Sequence, residues 1–302
     1  MMFSILYASD IHGSDCVFRK LLVLGKATAV DLIIVGGDLM GKRLVPIVEL
    51  NDGRFRIEGS YVGLADVQAF QAKCRKIGEY SKVVKRSEYP YLQNRANYQA
   101  ALLDMAKIRL KEWVNQAEEA FPEGTTPILM ILGNDDPEEL ADILNRSRTI
   151  INPDNRVIEI GGFEFVNLGQ SNPTPFKTYR ELPEDELQGI LEQMFSRVVN
   201  LSKCILNSHV PPFGTLLDRA FSMYSSSLSL DRHVGSKAVR KAISRYQPLV
   251  GLHGHVHESP GVDYIGRTTL FNPGSKYESG QLRAVKVTLE GDKVHSYQFF
   301  EE

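Results

Sequence analysis

Five short apolar runs in this chain each end on glycine, aspartate, asparagine or histidine. That recurrence constrains the fold more than any other feature. Residues 3–9 run into Asp10-Ile11-His12-Gly13, residues 31–35 into Gly36-Gly37-Asp38, and residues 127–132 into Gly133-Asn134-Asp135-Asp136. Cys204-Ile205-Leu206 runs into Asn207-Ser208-His209, and Leu249-Val250-Gly251-Leu252 leads to Gly254-His255-Val256-His257. Short apolar runs bounded by turn residues read as buried strands. Between them lie helical stripes, such as Val17, Phe18, Leu21 and Leu22, and Leu187, Ile190, Leu191, Met194 and Val198. This alternation predicts βαβ units, with parallel strands whose carboxyl ends share one edge. Ligand sites in such sheets lie beyond that edge, so Asp10, His12 and Asp38 are expected to converge there.

In an extended segment, side chains at i and i+2 point to one side, with backbones roughly 6.5–7 Å apart. Asp10/His12 and His255/His257 have that spacing, which suits two neighbouring ions better than one. Flanking glycines fit backbone crowded against an ion or ligand. Each feature alone has a plainer reading: a chance His-x-His in a loop, Asp38 as a turn residue or helix cap, His209 as a turn residue before prolines. Together, five strand ends offering carboxylates, imidazoles and the amide of Asn134 have the composition of a dinuclear metal site. Two ions roughly 3.5–4 Å apart clamp the attacking and leaving oxygens of a phosphoryl displacement. Cys16, Cys74 and Cys204 are scattered, odd in number and outside any zinc-ribbon spacing. Nitrogen and oxygen must therefore hold the metal, and a reducing, cytoplasmic compartment without disulfides is expected.

The 302 residues suit one large domain or two smaller ones, and a net charge of −2 gives no basic field for nucleic acid. No apolar run reaches the length of a membrane span, and the N-terminus reads as a first strand rather than a signal peptide. Ser14 is placed to cap the first helix. Residues 43–125 read as an insertion: a hairpin around Asp52-Gly53, a helical stripe over 64–84 weakened by Gly78, and a second helix over 93–121. Lys73, Arg75, Lys76, Lys82, Lys85 and Arg86 form either a solvated helix face or an attractor for an anionic substrate or partner. Asp136, before Pro137, reads as an N-cap with Glu139 closing a capping box. Gly161-Gly162 reads as a hairpin turn, 170–176 as a loop and 184–199 as a helix. The Ser-rich stretch 213–235 has the length of a lid or binding loop. His233, just before a helix N-terminus, is either structural or a phosphate contact. Lys42 is either solvated or a phosphate contact.

In order and content, these motifs resemble those of the calcineurin-like metallophosphoesterases: D-x-H, G-D, G-N-H-[DE], H and G-H-x-H. The chain supplies Asp10-Ile11-His12, Gly37-Asp38, Gly133-Asn134-Asp135-Asp136, His209 and Gly254-His255-Val256-His257, and Asn272-Pro273-Gly274-Ser275 resembles the same position in small bacterial and archaeal members. The resemblance implies an α/β fold, a four-layer sandwich of two mixed β-sheets flanked by helices, as one domain over 1–302. It implies that Asp10, His12, Asp38 and His257 bind one metal. Asp38, Asn134, His209 and His255 would bind the other, with Asp38 bridging. It implies hydrolysis of a small phosphoester by a metal-activated hydroxide, with two divalent ions: manganese foremost, with iron, zinc, nickel or cobalt as alternatives. The chain departs from the pattern where Asp135 replaces the motif histidine. An ionised aspartate is a poor proton donor, so diesters and good leaving groups are expected over alkyl monoesters. The competing readings are an interaction scaffold using the insertion, which is also a plausible homo-oligomer interface, and a nuclease.

Overall fold

The computed structural model describes residues 2–220 and 232–302. Along the chain come β1 (Met2–Ala8), α1 (Asp15–Thr28), β2 (Leu32–Val35), β3 (Leu44–Glu49), β4 (Phe55–Ile57), β5 (Ser60–Val62), α2 (Leu64–Ile77) and β6 (Tyr80–Lys85). Then follow α3 (Tyr89–Leu92), α4 (Arg95–Ala120), β7 (Ile128–Met130), α5 (Ala141–Leu144), β8 (Ile150–Ile151), β9 (Val157–Ile160), β10 (Phe163–Leu168) and α6 (Glu184–Phe195). The remainder comprises β11 (Cys204–Ser208), β12 (Arg219–Ala220), β13 (Arg232–His233), α7 (Lys237–Tyr246), β14 (Val250–Leu252), β15 (Gly261–Ile265), β16 (Thr268–Asn272), β17 (Arg283–Glu290) and β18 (Lys293–Glu301).

Two six-stranded sheets form the middle, ordered β18-β17-β1-β2-β7-β8 and β15-β16-β14-β11-β10-β9. The inner strands pair in parallel, β1 with β2 and β2 with β7 in the first sheet, β11 with β10 and β14 in the second. Antiparallel strands close the edges, apart from β8. Alternate side chains of each strand face opposite layers. Ile5, Tyr7, Leu32 and Ile34 meet Phe165, Ile205, Val250 and Phe271 between the sheets. Leu6, Ala8, Ile33 and Val35 face α1 and α4. Val166, Leu206 and Leu270 face α6 and α7. The result is the helix–sheet–sheet–helix layering implied by the motifs. It places the carboxyl ends of β1, β2, β7, β11 and β14 together.

Within residues 43–125, β3 to β6 build a separate four-stranded sheet ordered β5-β4-β3-β6 over a small core of Val45, Ile47, Ile57 and Val67. The helix α4 joins the main body: Trp113 stacks on Phe18 of α1, ring centroids 4.6 Å apart. The expected helical stripe over 64–84 is corrected. Its helix stops at Gly78, which takes φ 80° and caps Cys74 O, and Val84 belongs to β6. Lys82 and Lys85 therefore lie on that strand, with Arg86 just beyond, and share no helix face with Lys73. Arg75 is bound to Asp15 and Glu112. The helix expected over 184–199 ends at Phe195. Most of the lid expected over 213–235 lies outside the described residues. No helix among the described residues is long and apolar enough to cross a membrane.

Candidate metal centre

Four of the motif residues leave their strands in the left-handed backbone region: Asp10 (φ 57°), His12 (φ 43°), Asp38 (φ 52°) and His255 (φ 66°). Non-glycine residues rarely adopt it, and each costs roughly 1–3 kcal/mol. A zipper of backbone hydrogen bonds over-determines them. Asp10 N donates to Gly37 O (3.0 Å), His12 N to Asp38 O (2.9 Å) and Gly13 N to Leu39 O (2.7 Å). His255 N donates to the Asp10 carboxylate (2.9 Å), and Asp135 N to Asp38 Oδ1 (2.9 Å). The motif glycines are explained by crowding: a Cβ on Gly133 would overlap Asp38 Oδ1 and N, and one on Gly254 would overlap Ser9 and Asp10.

The geometry brings Asp10, His12, Asp38, Asn134, His209 and His257 together. Nε2 of His12 lies 3.2 Å from Nε2 of His257 and 3.4 Å from Asp38 Oδ2. Nε2 of His209 lies 3.0 Å from Asn134 Oδ1 and 3.4 Å from Asp38 Oδ1, and Nε2 of His257 lies 3.3 Å from Asp10 Oδ1. His255 stands beside them, its ring edge-on to His209 with centroids 5.2 Å apart. Among the described residues, three groupings have ligand atoms close enough to share an ion: Asp10-His12-His257, Asp10-Asp38-His209 and His12-Asp38-Asp135.

The polarity of these contacts tests whether a cation fits. His209 Nδ1 is 2.8 Å from Gly36 O, and His12 Nδ1 is 3.2 Å from Met40 O. Carbonyl oxygens only accept, so in the neutral rings both Nδ1 atoms carry hydrogen and both Nε2 atoms present lone pairs. The His209 lone pair then faces the Asn134 oxygen and an Asp38 oxygen, and the His12 lone pair faces His257 and the other Asp38 oxygen. Such a cluster is satisfied by positive charge between its atoms, either protons or metal ions. The titration pattern has the same cause. Burial lowers the pKa of His209, but Asp38 outweighs it and lifts the value to about 9. Burial pushes His12 down to about 3, with Lys42 adding to the effect. Burial raises Asp38, yet His209 and His12 hold it well below the usual carboxylate range. A proton and a metal ion compete for the same lone pairs, and the donor set of imidazole, carboxylate and amide oxygen fits divalent ions.

Lys42 and Asp135 adjoin the cluster as an ion pair, Nζ to Oδ2 2.6 Å, with Lys42 half exposed. Burial raises the Asp135 carboxyl and Asp38 raises it further, while Lys42 opposes both. Burial works against the Lys42 charge, but Asp135 and Asp38 outweigh it and raise its pKa. The Tyr277 ring lies tilted against His12, centroids 4.6 Å apart.

Other sequence expectations change. Asp136 is no N-cap: Pro137 precedes a short 3₁₀ turn, and Glu139 closes no box. The buried Asp136 carboxylate instead accepts from Leu39 N (2.9 Å), Met40 N (2.7 Å) and Gly133 N (2.8 Å), binding the Asp38 loop to the Asn134 loop. Burial, then the Asp38 charge, lifts its pKa to about 7. Among the described residues, His233 pairs with Arg219 across a short ribbon, bonds Asp218 (2.7 Å) and meets the Phe213 ring. Sequence reasoning also missed the supports. Asn272 Nδ2 donates to Val256 O (3.0 Å), and Ser275 Oγ to Asp10 O (2.7 Å), so Asn272-Pro273-Gly274-Ser275 ties the two i, i+2 pairs together. Arg180 Nη1 donates to Leu132 O (2.6 Å) below Asn134, from a loop with no motif.

No family model matches the sequence. Over 151 residues the chain is 38% identical to the uncharacterised protein MJ1162 of Methanocaldococcus jannaschii. That match covers 49% of this chain and 64% of the relative, less than two thirds of its length. One solved structure overlays with a TM-score of 0.61 at 17% identity, covering 100% of this chain and 99% of its own. The protein TT1561 of Thermus thermophilus overlays with a TM-score of 0.56 at 14% identity, covering 99% of each chain. These overlays establish the fold, two mixed β-sheets packed between layers of helices. An archaeal phosphodiesterase overlays over 99% of this chain and 100% of its own, but at a TM-score of 0.39 and 13% identity the likeness does not bear on activity.

Proposed function

We propose that this chain is a dinuclear metal-dependent phosphoester hydrolase that prefers diesters. The observation that carries the reading is the convergence of ligand-type atoms: His209 Nε2 on Asn134 Oδ1 at 3.0 Å and on Asp38 Oδ1 at 3.4 Å, and His12 Nε2 on His257 Nε2 at 3.2 Å and on Asp38 Oδ2 at 3.4 Å. Asp10, His12, Asp38 and His257 would hold one divalent cation, and Asp38, Asn134, His209 and His255 the other. Manganese is the first candidate, and iron, zinc, nickel or cobalt suit the same ligands. Bound there, such a pair would supply an activated water and neutralise phosphate charge.

The chain's own residues supply the rest. The Nδ1 contacts to Gly36 and Met40 hold two imidazoles with their lone pairs inward. Lys42 places a fixed positive charge at the mouth, suited to a phosphate oxygen or a leaving-group oxygen as its charge develops. Asp135, paired with that ammonium, serves as an acceptor that orients it, and ligand cations nearby favour its ionised form. With no imidazole acid at this position, departure of a poorly stabilised alkoxide is slow. Aryl diesters and other esters with good leaving groups are then the better substrates.

The test is a panel of mono- and diesters, with cyclic nucleotides and single-stranded DNA and RNA, run on metal-stripped protein with each metal restored in turn. Metal-restored cleavage of aryl diesters, lost in Asp38→Ala with every metal, is the expected result. No activity with any metal would sink the hydrolase reading in favour of a scaffold. Cleavage of nucleic acid above all small esters would favour a nuclease.

A further inference from the structure

The side-chain amide of Asn134 has a nitrogen end and an oxygen end, and only the oxygen end can hold a cation. Within the Gly133-Asn134-Asp135 motif, a long contact of Asn134 Nδ2 with Asp135 Oδ1 at 3.4 Å favours one end only weakly. The loop over 172–181 decides which end faces His209. Asn134 Nδ2 lies 2.8 Å from Thr178 Oγ1, and Thr178 Oγ1 lies 2.7 Å from Glu181 Oε1. Glu181 also receives Thr174 Oγ1 (2.6 Å), Thr174 N (2.9 Å) and Thr178 N (2.8 Å). A carboxylate ringed by four donors acts only as an acceptor. The single hydroxyl proton of Thr178 therefore points at Glu181, and its oxygen can only accept. That oxygen accepts from the Asn134 nitrogen, which turns the amide oxygen to His209.

We infer that Thr178, polarised by Glu181, is a positioning residue that selects the metal-facing end of the Asn134 amide. The inference rests on the dinuclear reading above. The loop is anchored beside the asparagine it orients. Arg180 N donates to Asn134 O (3.1 Å), and the Arg180 side chain donates to Leu132 O (2.6 Å). Thr178 belongs to no motif and is half-buried. Supports of this kind typically contribute about 10- to 100-fold in metal affinity.

The experiment is an equilibrium Mn²⁺ titration of metal-stripped full-length protein. The unaltered chain is expected to show two sites. Thr178→Val, which keeps the shape and removes the acceptor, should weaken one site about 10- to 100-fold and leave the other within about threefold. Thr178→Ser should restore it. An Asn134→Asp background separates polarity from packing, because a carboxylate has no wrong end. There Thr178→Val should cost no further affinity. Equal weakening by Thr178→Val in the Asn and Asp backgrounds, or wild-type binding of both ions by Thr178→Val, overturns the inference while leaving the metal centre standing. Failure of the unaltered chain to bind Mn²⁺ at all overturns the dinuclear reading and this inference with it.

Discussion

Nε2 of His209 stands 3.4 Å from Oδ1 of Asp38, the two residues reaching each other from different sheets. The same Asp38 carboxylate presents Oδ2 to His12 at 3.4 Å, so one side chain spans both halves of the cluster. Asp38→Asn keeps the size and replaces one oxygen by a donor. It is expected to weaken cation binding by at least about 100-fold, more than loss of a ligand's support would. Titration with Mn²⁺ checks this. Unchanged binding of two ions would remove Asp38 from the centre.

Gly133→Ala is a sharper test of geometry, because it removes no ligand. The added Cβ would collide with the Asp38 carboxylate and its backbone nitrogen. Asp38 must then leave its position, and cation affinity and aryl-diester turnover should fall together, by about 100-fold or more. A fold intact by circular dichroism, with activity within a few-fold of normal, would contradict the structure here.

On the proposed hydrolase reading, the Lys42–Asp135 pair sets leaving-group preference. Lys42→Ala should lower kcat/KM for a diester by about 10- to 100-fold, and Lys42→Arg should recover part of it. Asp135→His supplies an acid where the chain has none, and should raise alkyl-monoester turnover relative to aryl diesters by roughly 10²-fold. Faster release of phosphate from simple alkyl monoesters than cleavage of aryl diesters by the unaltered protein would overturn this account.

Away from the site, Asp15 binds α1 to α2 and α4. Trp113 Nε1 donates to it at 2.9 Å and Arg75 Nε at 2.9 Å, with the buried Arg109 Nε 4.0 Å away. Burial raises its pKa, but the Trp113 hydrogen bond and the Arg109 and Arg75 charges prevail and lower it from 3.8. A depressed folded-state value gives stability that is present above the unfolded value and lost as pH falls through the folded one. Asp15→Asn should cost about 1–3 kcal/mol at neutral pH by removing the charge that Trp113 and Arg75 bond, while Arg109 keeps Gly13 O and Glu112 as partners. The deficit should shrink below about pH 4. Urea midpoints across pH read the result, and a deficit that stays constant into acid would refute it.

Much of the clustering of these side chains was legible because its signals are local. An apolar run ending in Gly-Asp or Gly-His-x-His announces both a strand and what lies at its carboxyl end. Parallel βαβ pairing then requires those ends to meet. Misreadings arose where neighbours in space overruled neighbours in sequence. Gly78 cut the stripe over 64–84 because β6 found a parallel partner in β3. Asp136 looks like a helix cap beside Pro137, yet two loops closing around it offered three backbone donors instead.

The residues alone determined the chemistry on offer: which strand ends carry carboxylate, imidazole and amide, and that they lie on one edge. Only the tertiary structure decided their orientation, that is, which nitrogen of His12 and His209 meets a backbone carbonyl and which end of Asn134 faces inward. The physical reason is that a hydrogen bond's direction is set by its partner. The partners here, Gly36 O, Met40 O and the Glu181–Thr178 relay, are brought in by the fold from segments that carry no motif of their own or show no sign of the role in sequence.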